Sequence, residues 1–243
     1  MVVYTGTSKA ETRLDQTGVK GYAAEFQGIV RMIMAQLPQN EVIEDAIRRG
    51  VKLVPEDAIR ELVANAMIHQ DLSVGGASVM IEIYSNRVEI SNPGEPIVPV
   101  ERFIDGYESR NERLADLMRR MGICEEKSSG IDRVVQMAEV YQLPAPDFTA
   151  GHRRTIATIF GLRRFEEMDR ADRMRACYQH CALRYVMKER MTNETLRQRF
   201  NLPETKRAIA SQIIAATEEV GLIKLDETVG ASRKFARYLP VWA

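Results

Sequence analysis

The sequence predicts an α+β fold in which helices and strands share one pair of layers. Apolar residues recur with helical spacing over residues 21–37, 112–121 and 131–141. Apolar and polar residues instead alternate over residues 78–84 and 87–91, and again over residues 153–160. The first two alternating segments, with Ser85-Asn86 at the turn, predict a β-hairpin. Residues 51–54 and 153–160 are expected to add strands, the first of them short.

The composition is typical of a soluble globular protein. Of the 243 residues, 45% are hydrophobic and 28% are charged, and the formal net charge is zero. No apolar run approaches the roughly 18 residues that a membrane-spanning helix needs, so we expect no membrane partner. The odd cysteine count suits free thiols, and we expect a cytoplasmic location. Cys177 and Cys181 flank His180, but no second ligand pair follows, so a packed helix face is a better interpretation than a metal site.

The helix predicted to begin after Pro55 carries a polar stripe. Glu61, Asn65 and His69 recur at four-residue intervals, which places their side chains on one helix face. Most residues between them are apolar, and buried polar groups without hydrogen bonds are costly. A carboxylate and an amide one turn apart can together hold a hydrated cation and orient a water molecule. The stripe therefore indicates a nucleotide site, in which we expect His69 to be a structural residue at the helix end.

The sequence lacks three common site motifs. It contains no Gly-x-x-x-x-Gly-Lys-Ser/Thr phosphate loop, no Gly-x-Gly-x-x-Gly after a strand and no Gly-x-Ser-x-Gly elbow. These absences disfavour a P-loop ATPase or helicase motor and a dinucleotide-binding fold.

The composition changes after residue 162. Helical patterns over residues 171–189, 192–200 and 203–220 precede two strand patterns, 222–225 and 234–239, which is the winged-helix arrangement. From residue 171 onward, 13 basic residues stand against 8 acidic ones. Such a domain can place the start of its third helix in the major groove of duplex DNA and use its hairpin to contact phosphates. The candidate DNA-binding residues are Lys206, Arg207 and Gln212 on the helix, and Arg233 and Lys234 on the hairpin. A protein-interaction or dimerisation module is the alternative.

Motifs in a fixed order carry a resemblance to a known family. The box Glu61-x-x-x-Asn65-Ala-x-x-His-x-Asp is followed by Val88-Glu-Ile-Ser-Asn-Pro-Gly94, Ser109-Arg-Asn, Leu114-Ala-Asp-Leu, Gly122-Ile-Cys-Glu-Glu, Ser129-Gly-Ile and Leu143-Pro-Ala-Pro. This set resembles the gyrase, Hsp90, histidine-kinase and MutL ATPase superfamily. Within it, the set is most similar to the divergent ATP-binding domain of RecG-like transcriptional regulators, which often follow a Schlafen-type AlbA domain.

The resemblance implies a domain organisation. Residues 51–162 would form a histidine-kinase-like ATP-binding domain, a two-layer α/β sandwich. Residues 1–50 would be a linker and helical segment after an AlbA-type domain whose body is not in the sequence. Residues 163–243 would form the winged-helix domain. The implied protein is a nucleotide-binding and DNA-binding transcriptional regulator, expected to be a homo-oligomer.

The resemblance also implies roles for individual residues. Glu61 would be the general base that orients the attacking water, and Asn65 would hold Mg²⁺ through its amide oxygen. Asn92 would stand where the superfamily usually has an adenine-reading Asp, and Gly94 would let the backbone approach the base. The phosphates of ATP would meet backbone N–H groups of Ser129 and Gly130 at a helix N-terminus.

Two alternatives to the regulator hypothesis stay open. The usual Asp-x-Gly-x-Gly box is replaced by Asn92-Pro-Gly94, and the lid reads Ser128-Ser-Gly-Ile where Gly-Ser-Gly-Ile is common. The protein could therefore be a degenerate scaffold that uses this fold for oligomerisation. It could also be a working ATPase of a defence or repair system, with Glu61 as its base.

Overall fold

The computed structural model describes residues 1–19, 21–44, 47–124, 130–228 and 236–243. The chain divides into two compact units. The first comprises Met1–Val134 and Pro146–Leu162, and the second comprises Val135–Ala145 and Arg163–Ala243. The fold is a mixed α/β fold, as predicted from the helical and alternating patterns.

The first unit is built on a six-stranded mixed sheet. The strands are β1 (Val2–Tyr4), β2 (Thr12–Asp15), β5 (Met80–Ile83), β6 (Arg87–Pro93), β7 (Asp147–Gly151) and β8 (Arg154–Phe160), in the spatial order β2-β1-β5-β6-β8-β7. Only β1 and β5 pair in parallel; the other neighbours are antiparallel. A separate antiparallel pair, β3 (Gln39–Glu44) and β4 (Ile47–Lys52), lies between the first two helices in the chain.

Helices supply the second layer of this unit. They are α1 (Tyr22–Gln36), α2 (Glu56–His69), α3 (Glu112–Arg120) and the first turn of α4 (Ile131–Val140). Helix α2 packs against α1, β6 and α3. Its eight buried residues are apolar, and each of the five larger ones (Ile59, Leu62, Val63, Met67 and Ile68) stabilises the fold by about 1.5 to 3 kcal/mol when fully buried. Because the buried residues fix how α2 rests on the sheet, they also fix where its polar stripe points.

The N-terminal residues contribute strands and a helix to the first unit. β1 and β2 extend the six-stranded sheet, and α1 packs on α2. Val3, at the centre of β1, is buried. The parallel pairing of β1 with β5 joins residues about 80 positions apart in the chain, for example Val2 with Glu82, so no local sequence pattern could indicate it.

The described residues of the second unit from 163 onward form three α-helices and a two-stranded sheet, and residues 135–140 of α4 belong to the same unit. The elements are α5 (Arg170–Val186), α6 (Asn193–Arg199), α7 (Arg207–Glu219), β9 (Ile223–Leu225) and β10 (Tyr238–Pro240). Helix α5 packs against α6, α7 and β10, and α6 packs against α7. Cys177 and Cys181 are fully buried in the shared core, as the packed-helix interpretation predicts. All of these elements follow the predicted order, although the second predicted strand begins in residues outside the described part.

Buried charges hold residues 135–145 within the second unit. Nδ1 of His180 lies 2.9 and 3.0 Å from the two carboxylate oxygens of Glu139. Nε of Arg199 lies 3.5 Å from the same carboxylate, and its Nη2 donates to the carbonyl of Leu143. The side chain of Arg199 is only 2% exposed, and this burial lowers its pKa against the opposing effect of Glu139. The cluster ties this segment to α5 and α6 through hydrogen bonds and charge.

Candidate functional site

Helix α2 presents the predicted polar stripe toward the interior of the first unit. Glu61, Asn65 and His69 are each half-buried, whereas most of the residues between them are fully buried. Nδ2 of Asn65 donates to Oε1 of Glu61 at 3.4 Å, so the amide and the carboxylate form a pair. The four-residue spacing thus brings these two groups together, as the helical interpretation of the sequence requires.

Gly130 covers the carboxylate of Glu61. The glycine has a φ of +69°, in the left-handed region, and a Cβ built on it would overlap the carboxylate and lie 2.6 Å from Cγ of Glu61. Burial, followed by the negative charge of Glu61, raises the pKa of the nearby Cys124 thiol. The sequence prediction placed Gly130 against phosphates; the structure places it against the candidate base.

The end of β6 forms a tight turn beside the end of α2. The amide of Asn92 is buried, and its Nδ2 donates to the carbonyl of Pro93 at 3.1 Å. Gly94 has a φ of +96°, and a Cβ there would lie 2.6 Å from Cβ of Asp71. The hydroxyl of Thr155 donates to the carbonyl of Gly94. A glycine is required here because the chain after α2 passes directly over it.

A pocket opens between α2, the sheet and the segment that follows β6. Its empty volume is about 740 Å³, including the part open to solvent. Most of its wall is apolar, formed by residues that include Leu62, Ile90, Ile97, Phe103, Ile131 and Phe148. Polar groups also reach it, from Asn65, His69, Asn92, Glu108, Arg110 and Thr155.

Arg110 and Asp71 form an ion pair at this pocket. Nη1 of Arg110 lies 3.3 Å from Oδ2 of Asp71, and Nη2 donates to the carbonyl of Glu95 at 2.5 Å. Hydrogen bonds from the side chain and backbone of Ser73 lower the pKa of Asp71, so its carboxylate is charged near neutral pH. Burial and the positive charge of Arg110 lower the pKa of His69, so its imidazole is neutral there.

The structure places some of the sequence-predicted site residues at the pocket and others away from it. Asn65 and Asn92 both line the pocket. Glu61, Gly94 and Gly130 are not among the described residues that line it, although Glu61 pairs with Asn65. Ser129 lies outside the described residues. The predicted roles of all six remain predictions.

Two pocket residues lie outside the set of sequence-predicted site residues. His69 lines the pocket although we expected a purely structural residue, and Arg110, for which the sequence left open a phosphate contact or a surface salt bridge, lines it as well. The feature of the sequence that could have indicated His69 is its position on the same helix face as Glu61 and Asn65. Arg110 offered no comparable signal, because its approach depends on the long loop that brings residue 110 to residue 71.

The second unit exposes part of the predicted DNA-binding set. Arg207 and Gln212 are exposed on α7, and the carbonyl of Arg207 accepts a hydrogen bond from Asn193. Nζ of Lys206 lies 3.5 Å from a carboxylate oxygen of Glu166, so this cation already has a partner. The hairpin residues Arg233 and Lys234 lie outside the described residues.

The family comparison agrees with the geometry of the first unit. The family described as "Putative ATP-dependent DNA helicase recG C-terminal" matches residues 76–159. The matched segment runs from before β5 almost to the end of β8, and it includes Asn92, Gly94 and Gly130. It supports a divergent ATPase-like domain. Glu61 and Asn65 precede the matched segment, so their roles rest on the structure and on the resemblance of their box.

A solved structure shares the fold. The DIP2311 protein from Corynebacterium diphtheriae aligns with a TM-score of 0.63 at 18% identity, over 98% of this chain and 50% of that one. The present chain therefore spans about half the length of that protein, and at this identity the likeness concerns the fold alone. No curated protein matches the chain. Within the described residues, no helix is both long and apolar enough to cross a lipid bilayer.

Proposed function

We propose that the first unit binds a nucleotide, ATP, in the pocket between α2 and the sheet. The observation that carries this proposal is the pocket itself, because Asn65 and Asn92 reach an otherwise largely apolar cleft from opposite elements. The apolar walls suit a heterocyclic base, and a few convergent polar groups are what fix the orientation of a bound ligand. The ATPase-like family match over β5 to β8 supports the same ligand class.

A magnesium ion fits the residues only together with the nucleotide. The donor of this chain would be the amide oxygen of Asn65, a hard oxygen ligand of the kind Mg²⁺ prefers. The described residues contain no group of three or more His, Cys, Asp or Glu side chains that could hold a metal alone. Magnesium commonly keeps several waters and binds through one or two protein oxygens plus phosphates. When bound, it would neutralise phosphate charge.

Calorimetry of the full chain with ATP and Mg²⁺ tests the nucleotide proposal. We expect saturable binding by the wild type, and a loss of about tenfold in affinity for Asn65→Ala or Asn92→Ala, since each removes one polar contact. Asn86→Ala is the matched control, because Asn86 is exposed in the β5–β6 turn, and it should bind like the wild type. Wild-type protein that binds no ATP at millimolar concentration refutes the proposal and favours the degenerate scaffold.

Hydrolysis is a separate proposal. Glu61 would be the base, and a carboxylate can serve that role at neutral pH. Phosphate release that Glu61→Gln abolishes, with ATP affinity retained, would support it. Release that is unchanged in Glu61→Gln would come from another source and would exclude Glu61 as the base.

We also propose that the second unit is a winged helix that binds duplex DNA, which would make the protein a transcriptional regulator. The supporting observations are the order of three helices and two strands, and the exposed start of α7 with Arg207 and Gln212. Fluorescence anisotropy with duplex DNA over a salt series tests it. Arg207→Ala should reduce the salt slope by about 1, the effect of losing one phosphate contact. Arg120→Ala, an exposed arginine of the first unit, is the control. Affinity that does not change with salt would refute DNA binding.

A further inference from the structure

His69 occupies a position that the nucleotide proposal has not used. It is the third residue of the α2 stripe, one helical turn beyond Asn65, and its imidazole lines the same pocket. The structure shows no hydrogen bond between this imidazole and another described residue. This half-buried imidazole is therefore a polar group of the pocket wall that a ligand can contact.

The charges around His69 keep it uncharged. Arg110 comes from the segment before α3, lines the pocket and repels a second cation. Asp71, two residues further along the chain, is already paired with Arg110 and hydrogen-bonded to Ser73. Glu108 is the other charged group at the pocket wall. Burial is the larger cause and the positive charge of Arg110 the second, and together they lower the pKa of His69 below its ordinary value. A neutral imidazole offers one donor and one acceptor nitrogen.

We infer that His69 is a specificity-determining residue of the pocket that contacts the base-and-sugar part of a bound nucleotide as a neutral imidazole. This inference rests on the proposed nucleotide-binding function. A neutral donor–acceptor group suits the hydroxyl and ring nitrogen atoms of a nucleoside better than it suits a phosphate, which is recognised by cations and N–H donors. Asn92 and the apolar wall of Ile90 belong to the same pocket, and they suit the same part of the ligand.

The inference has a consequence for pH dependence. A ligand that covers His69 removes more water from the imidazole, which penalises the charged form more strongly in the complex than in the free protein. The neutral form therefore binds more tightly. Nucleoside affinity should be highest above the pKa that His69 has in the free protein, and it should fall as the pH drops through that value.

Adenosine is the probe, because it has no phosphate that titrates in the same range. Its affinity is measured between pH 8 and pH 5 by calorimetry or by NMR titration of the full chain. We expect wild-type affinity to fall by at least about threefold across this range, as neutral His69 becomes protonated. His69→Gln keeps a donor and an acceptor, so it should bind adenosine within about threefold of the wild type at pH 8 and show a flat pH profile. His69→Leu should lose about tenfold at pH 8.

His152→Gln is the matched control, because His152 is exposed and does not line the pocket; it should follow the wild-type profile. Circular dichroism of each variant checks that it is folded, and the conservative His69→Gln variant carries the test if His69→Leu is not. Adenosine affinity that is independent of pH in the wild type, or unaffected in His69→Leu, overturns the role of His69 while leaving nucleotide binding in place. A wild type that binds neither adenosine nor ATP refutes the proposed function itself.

Discussion

Replacing Gly130 by alanine should destabilise the first unit through its contact with Glu61. Two separate effects contribute. An alanine at a φ of +69° takes a left-handed conformation that costs about 1 to 2 kcal/mol. Its Cβ would also overlap the carboxylate of Glu61 and lie 2.6 Å from Cγ, well inside the 3.4 Å at which ordinary contact begins. Relieving such overpacking costs about 1 to 3 kcal/mol. We therefore expect Gly130→Ala to lower the free energy of unfolding by about 3 kcal/mol.

The chain offers controls that separate the two effects. Gly122 has nearly the same φ, +68°, but no atom lies within 4 Å of a Cβ built there, so Gly122→Ala should cost only the conformational penalty. Glu61→Ala removes the three atoms nearest to the new Cβ, which are Oε1, Cδ and Cγ of Glu61. In the Glu61→Ala background, Gly130→Ala should lower the free energy of unfolding by no more than Gly122→Ala does. The difference from its effect in the wild type corresponds to a coupling energy of about 1 to 3 kcal/mol between positions 61 and 130.

Hydrogen-exchange mass spectrometry of peptides from α2 is the appropriate assay. The single tryptophan, Trp242, belongs to the second unit, so its fluorescence does not report on the site. We expect the α2 amides to exchange faster in Gly130→Ala than in the wild type. In the double variant Glu61→Ala/Gly130→Ala, the additional exchange should fall largely to the level seen in Gly122→Ala. An equal cost of Gly130→Ala in both backgrounds would show that Gly130 does not lie against Glu61, and the description of the site would then be wrong.

Three further predictions concern other groups of the chain. Arg199→Met should destabilise the second unit by about 3 kcal/mol, because it leaves the half-buried carboxylate of Glu139 without this buried cation. Denaturant unfolding followed by tryptophan fluorescence measures this loss, and a change below about 1 kcal/mol would contradict the prediction. Burial raises the pKa of Cys177 to about 12. Iodoacetamide at pH 8 should therefore alkylate the partly exposed Cys124 well before it alkylates Cys177, and peptide mass spectrometry measures the two rates. Equal alkylation rates would argue against the burial of Cys177. Hydrogen bonding by Thr228 holds the pKa of Asp226 below its ordinary value. The ionised carboxylate therefore stabilises the fold at pH values above the ordinary pKa, and this stabilisation is lost as the pH falls through the pKa of the folded state. An Asp226→Asn variant should lose less stability than the wild type between pH 6 and pH 3.

Local pattern predicted most of the elements. The stripe on α2, the β5–β6 hairpin and helices α5 to α7 follow from hydrophobic spacing, because each buries one face against a core. β7 was not predicted: Asp147–Gly151 is a short edge strand whose polar and small residues are half-buried or exposed, and it follows a Pro-rich segment that indicates a turn. A strand of this kind forms because it pairs with β8, and its own sequence does not indicate that pairing.

The pocket was predictable where it depends on helix periodicity and at Asn92, which belongs to a recognisable motif. Asn65 reaches it because four-residue spacing fixes its face relative to the buried residues of α2. Arg110 reaches it because residues 94–111 return to the end of α2, where the amide of Asn111 donates to the carbonyls of Ile68 and Gln70. That return depends on hydrogen bonds between positions about 40 residues apart, which spacing along the sequence does not indicate.

The arrangement of the stripe separates nucleotide binding from hydrolysis. Asn65 and His69 line the pocket, whereas the carboxylate of Glu61 packs under Gly130 one turn away. A nucleotide can therefore occupy the pocket without disturbing Glu61, but Glu61 can act on a water molecule only if its packing against Gly130 changes. For this reason substitutions at Gly130 should alter any ATP turnover more than ATP affinity. Parallel calorimetry and phosphate-release measurements on Gly130→Ala would reveal this difference, and an equal effect on both would show that Glu61 already faces the ligand.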